Sequence, residues 1–238
     1  MEFGENGSLI RHDVVAADTY LHQHSNHGYA EGPRPVARLY ELMRFGLFGY
    51  IVTEFIHIAL YATIFLFPDT MLGNQTRALE FRQLAFLLAE LAYVAGAVIA
   101  FFCACRFIYR TMRNLHTIQS PAAKISPVWS VGYYFIPIAN LFMPANALSQ
   151  IYHGTHEAVG ESSRHASPVP LWWTPWLISG IPETIADNLG VYGFGALTLH
   201  ALSSALGITA ALMLIRIGKR IADRQQLLKH GGIATVFD

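Results

Sequence analysis

Residues Ser126 to His153 decide the fold: Ser-Pro-Val-Trp-Ser-Val-Gly-Tyr-Tyr-Phe-Ile-Pro-Ile-Ala-Asn-Leu-Phe-Met-Pro-Ala-Asn-Ala-Leu-Ser-Gln-Ile-Tyr-His. The stretch is apolar enough to enter a bilayer, yet Gly132, Pro137, Asn140, Pro144 and Asn146 interrupt it. Each proline removes a backbone donor and clashes one turn back. Hydrocarbon offers no substitute partner. Such breaks persist at membrane depth only where neighbouring helices or a cavity satisfy the freed carbonyls. The stretch therefore belongs inside a bundle of helices.

Composition supports the same class. Of 238 residues, 53% are hydrophobic and 13% charged, well below the roughly 25% charged content of soluble domains. Several long apolar runs with few charges predict an all-α integral membrane protein. Sixteen Lys and Arg balance sixteen Asp and Glu, so no basic face is available for nucleic acid. The two cysteines, Cys103 and Cys105, point to nearly opposite sides of a helix and read as small buried thiols.

Residues 1–43 form a polar N-terminal tail with no signal-peptide core. His12, His22, His24 and His27 lie there at a spacing that can bind a divalent metal. The tail's polarity favours a flexible segment instead. A transmembrane bundle follows over 44–221, and 222–238 forms a second tail. Spans are expected at 45–67, 84–108, 128–151 and 191–217, each near the roughly 20 residues that cross hydrocarbon. Between the last two, residues 169–181 are apolar but short, and Pro182, Glu183 and Asp187 follow. Trp172, Trp173 and Trp176 suit the headgroup level. The charge rule decides between four and five crossings. Four crossings put the basic clusters around Arg44, Arg110 and Arg220 all on the cytoplasmic side. The expectation is four spans, both termini cytoplasmic, and residues 169–189 dipping in from the outer side as a re-entrant or interfacial segment.

One part of the chain resembles a known family. It combines Tyr109-Arg110-x-x-x-Asn114, Trp129-x-Val131-Gly132-Tyr133-x-x-x-Pro137-Ile138-Ala139-Asn140-Leu141-x-x-Pro144 and Trp172-Trp173-x-x-Trp176-Leu177-x-Ser179. The pattern is similar to that of a bacterial family of polytopic membrane proteins classed as a domain of unknown function. Tyr133 stands where that family often has tryptophan. The resemblance implies only a membrane fold and assigns no activity; the bacterial inner membrane is the expected location.

Polar groups inside spans are functional candidates, because burial there is costly. Glu54 and His57 on the first span share a face at i and i+3. Glu90 lies on the second span, Asn140 on the third and His200 on the last, all at similar depth by helical rise. Ser203, Ser204 and Gly207 join His200 on a small-residue face. Three readings follow. One is a satisfied network pinning the helices together in an accessory or interaction protein, with the bilayer and a membrane protein as partners. Another is a metal- or haem-dependent redox site, with Glu54, His57, Glu90 and His200 as candidate ligands. The third is a proton-coupled path in which Glu54 and Glu90 titrate in turn. Outside the spans, His153, His156, Glu157 and His165 can form a surface metal site on the outer side or simply a solvated loop. No nucleotide loop, nucleophile elbow or zinc-protease motif is present.

Overall fold

Apolar runs free of interior proline form the longest helices of this chain. A computed structural model describes residues 32–66, 76–161, 166–190 and 193–234. In chain order the helices are α1 (Ala37–Leu66), α2 (Thr76–Thr117), the single turn α3 (Trp129–Gly132), α4 (Met143–Ala158), α5 (Val169–Asn188) and α6 (Phe194–Ala234). No strand occurs among the described residues. Three stretches are long and apolar enough to cross a membrane: Ala37–Thr63, Arg77–Thr117 and Phe194–Leu228. Phe48, Phe55, Leu87, Leu91, Val98 and Phe102 point outward along α1 and α2. An apolar surface of that extent is unusual in water and natural against lipid tails.

The four long helices form an arc. α1 lies between α2 and α6, α5 packs along α6, and α2 and α5 make no extended contact. Close approach of α1 to α2 depends on a missing side chain, because a Cβ on Gly46 would lie 3.1 Å from the Ala100 Cα. The chains run antiparallel: Gly46 meets Ala100 near one end, and His57 meets Glu90 near the other. The apolar core concentrates at the end where α1 begins and α2 and α6 finish. Met43, Phe107, Met112, Leu148, Ile151 and Ile221 are fully or almost fully enclosed there.

The interrupted stretch, expected as a broken span at 128–151, is several short pieces rather than one helix. α3 passes into 3-10 turns at Tyr133–Phe135 and Ala139–Leu141, and only then does α4 begin, with Pro144 in its first turn. Proline is tolerated at that position, whose N–H has no intrahelical partner. Short local bonds close the turns, from Asn140 N–H to the Ile136 carbonyl (2.7 Å) and from Phe142 N–H to the Ala139 carbonyl (3.2 Å). The Trp173 indole on α5 donates to the Leu141 carbonyl at 2.9 Å. A neighbouring helix thus satisfies a carbonyl at the break, as burial requires.

Both ends of this stretch lie at the same end of the bundle. The Gln150 Oε1 on α4 accepts from the backbone N–H groups of Lys124 and Ile125, each at 3.0 Å. Beyond it, Glu161 pairs with Arg224 of α6 at 2.8 Å. The tryptophan segment differs from expectation in the other direction. Its short apolar run extends through Pro175 and Pro182 into the 20-residue helix α5.

Candidate functional site

Three helical stripes meet at the end of the bundle remote from the apolar core. Tyr50, Glu54, His57 and Tyr61 follow one another on one face of α1, at steps of three and four residues. Glu90 and Tyr93 face them from α2, and His200, Ser204 and Gly207 from α6. Glu54, His57 and His200 are no more than 5% exposed. His57 Nε2 lies 2.6 Å from Glu90 Oε1. Its ring stacks on Tyr93, with centroids 5.3 Å apart, and meets Tyr61 edge-on at 4.9 Å. Tyr61 in turn lies 4.0 Å from the His200 ring. The two imidazoles stand 6.5 Å apart, and His200 Nε2 is 3.9 Å from Asp187 Oδ1 of α5. One turn along α1, the Tyr50 hydroxyl donates to Glu54.

Glu54, His57, Glu90 and His200 therefore share one neighbourhood. Tyr50, Tyr61, Tyr93 and Asp187 complete it, and sequence reasoning had not selected them. Their signal was present in the same helical periodicity, because each tyrosine lies three or four residues from a polar residue already chosen. Asn140 stands apart. The next residue's carbonyl is held by Trp173, which lies fourteen residues, about 21 Å, along α5 from Asp187. The Asn140 Oδ1 is buried without a hydrogen-bond partner. Among the described residues, no three His, Cys, Asp or Glu side chains form a group able to hold a metal.

A second buried polar group ties the opposite end. The Asn114 side-chain N–H donates to the Arg34 carbonyl (2.8 Å) and to Gln225 Oε1 (2.9 Å), while its Oδ1 accepts from the Arg34 N–H (3.1 Å). Gln225 donates to the Thr111 carbonyl at 3.1 Å and to the Thr155 hydroxyl at 3.2 Å. These bonds join the segment before α1 to α2, α4 and α6. Nearby, His156 is buried, with Nδ1 2.6 Å from the Tyr152 carbonyl and Nε2 3.9 Å from Glu161. Burial lowers its pKa from the ordinary 6.5, partly opposed by that carbonyl. His153 touches the Tyr152 ring, Glu157 is exposed, and these residues sit at the end of the bundle shared with Arg224. His12, His22, His24, His27 and His165 lie outside the described residues.

Between the two ends is a cavity of about 300 Å³ lined by α1, α2, α5, α6 and Tyr134 of the broken stretch. Ala97, Ala100 and Ala104 form its α2 wall, Trp172 and Trp176 its α5 wall, and Gly207 and Ala211 its α6 wall. Tyr50, Tyr93 and Ser179 line it as well. Ser179 is held at the α5–α6 seam, where its carbonyl accepts from the Ser203 hydroxyl at 2.6 Å.

No curated protein and no solved structure matches the chain. One family model matches the chain over most of its helical part. It covers residues 72–223, and the chain thereby belongs to the family described as Domain of unknown function (DUF4328).

Proposed function

We propose that this is a four-crossing accessory or interaction protein of the bacterial inner membrane, with its Glu54–His57–Glu90–His200 cluster acting as a structural clamp. The observation that carries the reading is the 2.6 Å contact of buried His57 with the half-exposed Glu90, with Tyr61, Tyr93 and His200 packed around the imidazole. Each polar group has a neighbour within the bundle, which is how a membrane protein limits the cost of burying it.

The crossings in this reading are α1, α2, α5 and α6. The broken stretch enters and leaves from the cytoplasmic side, and the tryptophan helix takes the crossing first expected of 128–151. Support comes from Gln150 lying beside Lys124 and Ile125, which leaves the stretch no second side to reach. At roughly 1.5 Å per residue, the 20 residues of α5 give about 30 Å, enough for the hydrocarbon. Arg38, Arg113, Lys124, Lys219 and Arg220 then all lie toward the cytoplasm, and Glu90, Glu183 and Asp187 toward the outside.

The test is the pair His57→Leu and Glu90→Leu. Removing one partner alone should cost about 1–3 kcal/mol, because it strands the other. The double replacement should recover most of the loss seen in Glu90→Leu, because no buried imidazole is then left without its partner. Elemental analysis and visible absorption of the same preparations decide against the clamp if wild type carries a stoichiometric metal or haem that the double variant loses.

A further inference from the structure

We propose that the cavity between α1, α2, α5 and α6 binds a lipid-soluble quinone, its ring between the alanine wall of α2 and the aromatic wall of α5. The proposal needs the chain to lie in the bilayer and is independent of which end faces the cytoplasm. Four features carry it.

The first is access. α2 and α5 make no extended contact; Tyr134 bridges them through Phe101 and Trp173, and beside it the exposed Trp176 brings the cavity to the surface at the gap that remains. The second is size. About 300 Å³ lies at the lower end of ligand pockets, roughly 300–1,000 Å³, which suits one substituted ring with its tail leaving through the gap. Third, the walls are matched to a flat ring. Ala97, Ala100 and Ala104 present a shallow surface, and Tyr93, Tyr134 and Trp176 supply aromatic faces around it.

Depth is the fourth feature and separates a quinone from an ordinary lipid tail. Gly207 lines the cavity beside the Tyr50 hydroxyl and lies thirteen residues into α6, about 20 Å from its start. In a hydrocarbon layer of about 30 Å that is well inside the membrane. Glycerolipid oxygens stay at the faces of the bilayer. The Tyr50 hydroxyl already donates to Glu54 and the Ser179 hydroxyl to the Trp176 carbonyl (2.8 Å), so an acyl chain here would set bare methylenes against the Tyr93 hydroxyl, at a desolvation cost. A quinone brings carbonyl oxygens to this depth, and the Tyr93 hydroxyl can donate to one of them.

The experiment uses the full chain in nanodiscs of dioleoyl phosphatidylglycerol, titrated with decylubiquinone and read by quenching of tryptophan fluorescence. The expected result is a saturable component of one quinone per chain above the linear background of partitioning. Ala97→Phe, which fills the cavity, should weaken that component by about tenfold or more. Tyr93→Phe keeps the volume and removes a hydroxyl, and should weaken it by about three- to tenfold. Decylbenzene, with the same tail and no ring oxygens, should fail to compete. Competition by decylbenzene equal to that of the quinone would overturn the proposal in favour of a plain acyl site. Should Ala97→Phe not fold, an unchanged affinity in folded Tyr93→Phe overturns it alone. A folded wild type with linear quenching only removes the quinone site and leaves the clamp reading untouched.

Discussion

Gly207 shows how tightly single residues are set around the Glu/His neighbourhood. A Cβ there would come within 2.6 Å of the Tyr50 hydroxyl and 3.1 Å of Glu54 Oε1. Those two groups are bonded to each other, so neither can move aside without breaking the bond. Gly207→Ala should therefore lower stability by about 1–3 kcal/mol, the range for overpacking, measured by thermal unfolding in detergent. Gly180 is the control. It is a helical glycine of α5 with nothing within 4 Å of the added Cβ. Gly180→Ala should be neutral or raise stability by up to about 1 kcal/mol through helix propensity. Equal effects at both positions would show that Gly207 is not held against Tyr50.

His156 offers a second test at this scale. Its pKa is lowered in the folded state, so folding disfavours its protonated form. The associated stability is complete above the unfolded value of about 6.5 and is lost as pH falls through and below it. Wild type should lose melting temperature between pH 7.5 and 5.5 more steeply than His156→Gln. Parallel slopes would mean that His156 has no part in that loss.

At the scale of elements, Asn114 and Gln225 fasten three helices and the segment before α1 through five side-chain hydrogen bonds. Asn114→Leu strands the Gln225 amide and the Arg34 backbone groups, for an expected loss of about 1–3 kcal/mol per stranded group. Because the two residues share a bond, the double variant with Gln225→Leu should lose less than the sum of the singles, by about 0.5–3 kcal/mol. Additive losses would deny the contact. The asparagine was legible in the family pattern around Tyr109 and Arg110, but its partner was not. Gln225 follows Arg224 in a charged run and carries no periodic mark of burial.

The same contrast holds along the chain. The apolar runs of α1, α2 and α6 announce themselves through length and composition. So does the break at Pro137 and Pro144, because proline acts locally. What local chemistry cannot state is where the chain goes after a break. The return of α4 to Lys124 and Ile125 depends on a bond made by Gln150 across 25 residues, which no hydropathy window contains. Trp172 and Trp173 make a related point. Polar-edged rings look interfacial in sequence, whereas Trp172 and Trp173 are buried against the broken stretch and the core. The clustering of Glu54, His57, Glu90 and His200 was readable from depth. Asn140 at the same nominal depth was not part of it, because its depth had been counted along a helix that does not form.

For the whole molecule, sidedness is the decisive measurement. With Cys103 and Cys105 replaced by alanine, single cysteines at Gln119, Glu157 and Lys219 should all react with an impermeant maleimide only from the cytoplasmic face. A cysteine at Leu189 should react only from the outside. Labelling of position 157 from the outside would restore 128–151 as a crossing and remove α5 from that role. The result also fixes which end of the bundle the Glu90–His57 contact approaches.

α2 is 42 residues long and α6 is 41, about 60 Å each, roughly twice the thickness of the hydrocarbon. Placed across a bilayer, each would leave about 30 Å of rod beyond the hydrocarbon. Geometry makes such a rod a lever. A tilt of about 10° around a pivot 30 Å from the tip carries the tip sideways by about 5 Å. Glu90, which meets His57, lies fourteen residues into α2 and His200 six residues into α6, while the opposite ends of the two helices carry Arg113 and Arg224. Because the two arms are of similar length, such a tilt is passed along the rod without gain, and the Asn114–Gln225 bond makes α2 and α6 move together at that end.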